Sequence, residues 1–216
     1  MPIEETAPRL GSEIRRTILP EWQTVTVWPR QIEAPRRDFF EVVGSRRSRT
    51  RGNLPDHKLS ALLRHSTQLR ERSGDGRFGT WESRTAPSAG GLHALRLLVL
   101  SPGSYGLYDT DAHALRSAPD LSYALDLNRQ SIAELTGAER GTTIPLIGDG
   151  RLYGGCYKGW ETLMWRDSGA LATILALVAS ALSLESVIVG RRGDDIVRAA
   201  GLHDDWVGAG AIHICG

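Results

Sequence analysis

The segment 165–184, WRDSGALATILALVASALSL, carries no charge after Asp167. Leu, Ile, Val and Ala fall on every side of the helix that its composition favours, which leaves no face to give to water. Such a helix belongs either in a bilayer or at the centre of a folded domain. The uncharged run 168–184 falls at or just under the roughly 17–25 residues of a membrane span. It is also rich in Ala, Ser and Gly, so a buried central helix is the expectation and a membrane span is not.

The rest of the 216-residue chain must supply the walls around that helix. Its length suits one domain with a substantial core. Hydrophobic residues at 41% and charged residues at 24% are close to globular averages. A net charge of +1 gives no general pull toward nucleic acid or a membrane surface. Cys156 and Cys215 have no partner pattern, and Cys156 in GGCYKG lacks the neighbours that activate a thiol. His57, His65, His93, His113, His203 and His213 include no closely spaced ligand pair, so no metal is expected. The opening MPIEETAPRL has no apolar stretch, and cytoplasm is the expected location. Lys58 and Lys158 are the only lysines; the other cations are arginines, which grip phosphate through a bidentate fork.

Residues 1–36 are Pro- and Arg-punctuated and read as an arm, with a short alternating strand in WQTVTVW; residues 37–216 read as one domain. DFFEVVG predicts an amphipathic helix ending at Gly44, with Phe39, Phe40, Val42 and Val43 as its apolar set. LPDHKLSALLRHSTQLR predicts a second, with Leu59, Leu62, Leu63 and Leu69 near helical spacing. RSGDGRFGTWESRTAPSAGG reads as a long loop. Strands follow at LRLLVL, in GLYDTDAHALRS with Asp109 and Asp111 in its turn, and at TTIPLIGDG. A helix is expected within 119–140, then the central helix. ESVIVG, a small helix and AGAIHICG complete the chain, giving an α+β class.

Three stretches could carry chemistry. GSRRSRTR, 44–51, places four arginines and two serines behind a helix; such a run is either a solvated turn or a phosphate grip. APSAGG sets Pro87, Ser88, Ala89 and Gly90 before a strand, where amides are unshielded and can meet the polar edge of a planar heterocycle. VIVGRRGDD puts Val189 and Gly190 at a strand end. Each is also an ordinary turn when taken alone.

Taken in order, RRS, PSAGGLHAL, GLYDTDAHAL, the helix led by Trp165, Arg166 and Asp167, and VIVG resemble the flavin-dependent nitroreductase superfamily, over about 38–216. The SagB-type branch, with its azoline dehydrogenases, is the nearest likeness. The resemblance implies an α+β sandwich with a central mixed or antiparallel sheet flanked by helices, forming an intertwined homodimer with FMN at the subunit interface. It implies that Arg46 and Ser48, with Arg47 between them, grip the FMN phosphate. Pro87, Ser88, Ala89 and Gly90 would run along the ring, and Val189 and Gly190 would approach its reactive nitrogen. Arg191 and Arg192 are further basic candidates for the phosphate. The branch's catalytic Lys-Tyr pair has its counterpart in Tyr157 and Lys158 of CYKGW, in reversed order. The implied activity is FMN-dependent oxidation of a small-molecule or peptide-derived substrate, with a pathway partner protein to present it. NAD(P)H-driven nitro or quinone reduction is the alternative on the same fold, and a flavin-fold binding protein without turnover is another.

Overall fold

The computed structural model describes residues 5–9, 16–118, 121–202 and 205–216. Its elements in chain order are β1 (Ala7–Pro8), β2 (Gln23–Val27), α1 (Phe39–Ser45), α2 (Asp56–Thr67), β3 (Leu69–Gly76) and β4 (Gly79–Arg84). A 3-10 turn at Ala89–Gly91 leads to β5 (Leu95–Leu100), β6 (Tyr105–Asp109), β7 (Ala114–Ser117), α3 (Ser122–Thr136) and β8 (Thr142–Asp149). Then come α4 (Gly150–Cys156), β9 (Tyr157–Lys158), α5 (Glu161–Ala181), β10 (Glu185–Val189), α6 (Asp194–Ala199) and β11 (Trp206–Cys215).

Seven strands form one sheet in the order β10-β11-β8-β5-β6-β7-β2, with every neighbouring pair antiparallel. The apolar run of β5 shows why both faces are covered. Strand alternation sends Leu97 and Val99 to one side and Leu98 and Leu100 to the other. Leu97 and Val99 join the core built with α2 and α5, and Leu98 and Leu100 the core built with α3 and α6. The central helix expected from sequence is α5, which starts earlier, at Glu161. It buries Met164, Ser168, Leu171, Ala172, Leu175, Ala176 and Ala179, the alanines admitting close approach of the sheet.

Several local expectations are corrected. The long loop is a hairpin, with β3 paired to β4. Charge replaces apolar alternation there: Arg72 reaches Glu82 at 2.6 Å, Arg84 reaches Glu82 at 2.7 Å, and Arg84 reaches Asp111 at 3.2 Å. Burial pushes the Glu82 carboxyl up, but Arg84 and Arg72 hold it below the usual carboxylate range. Leu69 starts β3 rather than ending α2. α1, capped by Asp38 through the Phe40 and Glu41 N–H groups, buries only Val42; Phe39, Phe40 and Val43 are exposed. Two turns of helix meet α5 around Val42 and Ser45, so the other apolar residues find no cover among the described residues. α3 is shorter than the stretch 119–140, of which 119–120 lie outside the described residues.

The arm contributes to the domain through β2, the edge strand beside β7, and through Trp28. The Trp28 indole donates to Asp56 at 2.9 Å, and its ring lies against buried His113 with centroids 5.5 Å apart. No helix among the described residues is long and apolar enough to cross a membrane.

Candidate functional site

The two expected halves of the site lie at opposite ends of α5. At its C-terminal end, α1 stops and the chain turns out through the arginine run. Arg46, Arg47 and Arg49 line a recess of about 280 Å³ with Ser45, Ser180, Leu184, Glu185 and Ser186. Ser45 and Ser180 hydroxyls are 3.3 Å apart, and Ser48 forms a β-bridge to Ser186, fixing the recess to the start of β10. Arg49 is drawn to Glu185 at 3.5 Å. Among the described residues, the half-buried Arg46 and the exposed Arg47 pair with no carboxylate, though Arg47 donates to the Gly44 and Arg46 carbonyls. A surplus of cation beside two hydroxyl-bearing elements fits a phosphate monoester.

β10 leads from this recess to Val189 and Gly190, about 13–17 Å along the strand. Val189 is buried with Ile132, Ala138 and Ala211, whereas Gly190 is exposed and a Cβ there would meet nothing within 4 Å. The two arginines that follow turn elsewhere. Arg191 bonds Asn128 of α3, and burial lowers its pKa. Arg192 lies over the Trp165 ring at 5.7 Å and pairs with Asp194 at 3.1 Å. Neither lines the recess with Arg46.

At the other end, the loop 87–90 is held by Asp167 on α5. Ser88 Oγ donates to Asp167 Oδ2 at 2.6 Å, and the Ala89 N–H reaches both carboxylate oxygens at 3.0 and 3.1 Å. The Tyr153 hydroxyl donates to the same Oδ2 at 2.7 Å. Ser88 Oγ in turn accepts the His93 N–H at 3.0 Å, while Gly91 and Leu92 N–H groups bond the Ser88 and Ala89 carbonyls. Backbone accounting then separates the amides. Pro87 has none, and those of Ala89, Gly91, Leu92 and His93 are used internally. Among the described residues, the Ser88 and Gly90 N–H groups are the ones left for a ligand. Sequence alone points to 88–90 as a continuous edge; tertiary contacts turn the Ser88 hydroxyl and the Ala89 amide inward.

Gly90 and Gly91 sit at φ 59° and 65°, and side chains crowd them. A Cβ on Gly90 would stand 2.6 Å from the Tyr157 hydroxyl, and one on Gly91 would strike the Trp81 ring. Tyr157 also meets Phe78 edge-on at 5.0 Å. The hairpin therefore delivers two aromatics, Phe78 and Trp81, to the loop. Trp81 in its loop-like segment is a sequence candidate for lining a pocket, whereas Phe78 gives no periodic signal in a stretch dense with charge and glycine. Lys158 follows Tyr157 in an extended pair, which sends its side chain to the opposite side, where it is exposed. Of the two catalytic candidates, the structure brings Tyr157 to the loop and leaves Lys158 outside it.

The recess and the loop are far apart on one chain. Ser180 and Asp167 are thirteen residues apart on α5, about 20 Å of helix. β10 and β5 are separated by β11 and β8, three strand spacings or about 14 Å. Among the described residues no three potential metal ligands cluster; His203 lies outside them.

No protein-family model matches the chain, and no curated protein matches it significantly. Solved structures do. A protein assigned as a nitroreductase from Ralstonia eutropha superposes with a TM-score of 0.67 at 22% identity, covering 98% of each chain. One of the same assignment from Anabaena variabilis gives 0.63 at 18% identity, over 95% of this chain but 42% of that one. A third, from Desulfovibrio desulfuricans and solved in complex with FMN, gives 0.53 at 18% identity, over 83% and 86%. The chain has the nitroreductase fold, as its sequence motifs implied.

Proposed function

We propose that this chain is an FMN-dependent oxidoreductase acting as a homodimer, with FMN phosphate at Arg46–Ser48 of one copy and the ring against loop 87–90 of the other. The observation that carries it is that separation: an unpaired cationic recess and a set of unpaired loop amides lie too far apart in one chain to serve one mononucleotide. A second copy brings them together. Exposed Phe39, Phe40 and Val43 lie on α1 and exposed Ile188 on β10, elements that each contribute residues to the recess, and they give that copy an apolar surface to cover. The FMN-bound neighbour of the same fold supports the choice of ligand.

Bound FMN would supply the two-electron chemistry. Arg46, Arg47 and Ser48 neutralise and orient the phosphate. Val189 and Gly190 allow backbone to come close to the ring, and the Ser88 and Gly90 N–H groups orient its polar edge. Tyr157 handles a proton beside the loop; burial raises its phenol pKa, so it holds that proton at neutral pH. Lys158 is the second proton-transfer candidate, on the strength of the family likeness.

For the substrate, the SagB-type likeness supports oxidation of a small or peptide-derived molecule, with azoline-type dehydrogenation first. The second direction is NAD(P)H-driven reduction. It is favoured by the names of neighbours, including a Clostridium acetobutylicum protein assigned as an NADH oxidase, with a TM-score of 0.52 at 17% identity over 81% of this chain and 86% of that one. Purification decides the first question: a yellow protein with a flavin spectrum is expected, and a colourless one that refuses added FMN overturns both directions. Anaerobic NADH then separates them, since bleaching of the flavin marks the reductase. Persistence of the colour, together with bleaching by an azoline-containing peptide, marks the dehydrogenase.

A further inference from the structure

Asp167 lies on α5 and is 7% exposed, yet every hydrogen bond it receives comes from a neutral group. Two of its three donors, the Ser88 hydroxyl and the Ala89 amide, belong to the loop 87–90; the third, Tyr153, belongs to α4. Because Ser88 Oγ also accepts from the His93 N–H, the loop from 88 to 93 closes on the hydroxyl that donates to this carboxylate. Behind it lies a small cavity of about 40 Å³, lined in part by Ser66, Arg84, Pro87, Ser88 and Asp167. These hydrogen bonds act beside the aromatic side chains of Phe78, Trp81 and Tyr157, which crowd Gly90 and Gly91. The same bonds decide which amides are spent. With the Ala89 N–H given to Asp167, the Ser88 and Gly90 N–H groups are left unpaired on either side of it among the described residues.

We propose, building on the flavin function above, that Asp167 is the positioning residue of the cofactor site: it sets the loop in the conformation that presents the Ser88 and Gly90 amides to the flavin ring. A carboxylate suits the task because it only accepts, and three donors converge on it. An asparagine there would turn an NH2 group toward at least one of those donors and release part of the loop.

Tyr153 provides an internal control. Its hydroxyl and that of Ser88 donate to the same oxygen, one from outside the loop and one from within it. FMN affinity of reconstituted Asp167→Asn, Ser88→Ala and Tyr153→Phe is measured beside the melting temperature of each apoprotein and the fine structure of the bound flavin's visible band. Asp167→Asn is expected to raise the FMN Kd about tenfold or more, the scale of a lost charge-assisted hydrogen bond. Ser88→Ala is expected to raise it by a smaller factor and to alter the band. Tyr153→Phe is expected to lower the melting temperature while leaving Kd and band near wild type. If Asp167→Asn fails to fold, the Ser88 and Tyr153 pair still decides. Equal effects of those two variants on Kd, or no effect of Ser88→Ala, would overturn the assignment. A wild-type protein that binds no FMN would instead sink the flavin function itself, and that result is read before any variant is made.

Discussion

The two ends of α5 present opposite states of polar satisfaction. At the Asp167 end, a buried carboxylate accepts from two hydroxyls and an amide. At the Ser180 end, Arg46 and Arg47 stand over a recess and, among the described residues, pair with no carboxylate. The first is a finished network, built to hold backbone in place. The second carries two arginines that pair with no carboxylate among the described residues, and in the proposed site an anion would complete it. In the proposed site, this division would shape the ring half in advance and leave binding to the phosphate half.

That contrast can be broken most severely at the surface proposed to join two copies. Phe40, 80% exposed, carries the largest expected effect: Phe40→Asp should yield a monomer by analytical ultracentrifugation and lose FMN with it. A monomer that keeps its flavin would show that one chain suffices. Next, Arg46→Ala should weaken FMN binding by roughly 1.5–3 kcal/mol, with the apoprotein's melting temperature unchanged because Arg46 makes no ion pair to lose. Unaltered Kd would remove the phosphate from this recess.

The finished end is probed by stability. Gly91→Ala places a methyl on the Trp81 ring at φ 65° and should cost about 1–3 kcal/mol in denaturant unfolding. Acid tests a third, equally buried cluster: burial lowers the His113 pKa to about 4, with Tyr108 and Ser60 on its ring nitrogens. Its unfolded form titrates near 6.5, so between those values the unfolded chain binds the extra proton. Stability should fall as pH drops from 6.5 toward 4, by up to about 1.4 kcal/mol per pH unit. His113→Gln should flatten that slope. Lys158→Ala has the smallest expected effect, within about 0.5 kcal/mol on stability and with FMN binding unchanged. A large loss of turnover at normal flavin content would return Lys158 to the chemistry.

Much of this was legible before any fold was known. The uncharged run 168–184 announces α5 because nothing in it tolerates water. LRLLVL announces a strand, and the structure covers it on both faces. The order of RRS, PSAGG and VIVG is what suggests the proposed site, because those residues bring arginine forks and bare backbone. The hairpin β3–β4 was not legible: its pairing rests on Arg72, Arg84, Glu82 and Asp111, whose charges look like loop in one dimension. Asp167 was hidden for the same reason. A carboxylate opening an apolar helix looks solvated until Ser88, 79 residues away in sequence, is folded onto it.

The sequence by itself determined the core and the chemistry available, since burial and arginine content follow from side-chain type. Only the tertiary structure decided which groups are spent and which are left over. Hydrogen bonds are exclusive and directional: once Ala89 has given its N–H to Asp167, only the Ser88 and Gly90 N–H groups remain for the proposed ring among the described residues, and no local pattern in the chain encodes that choice.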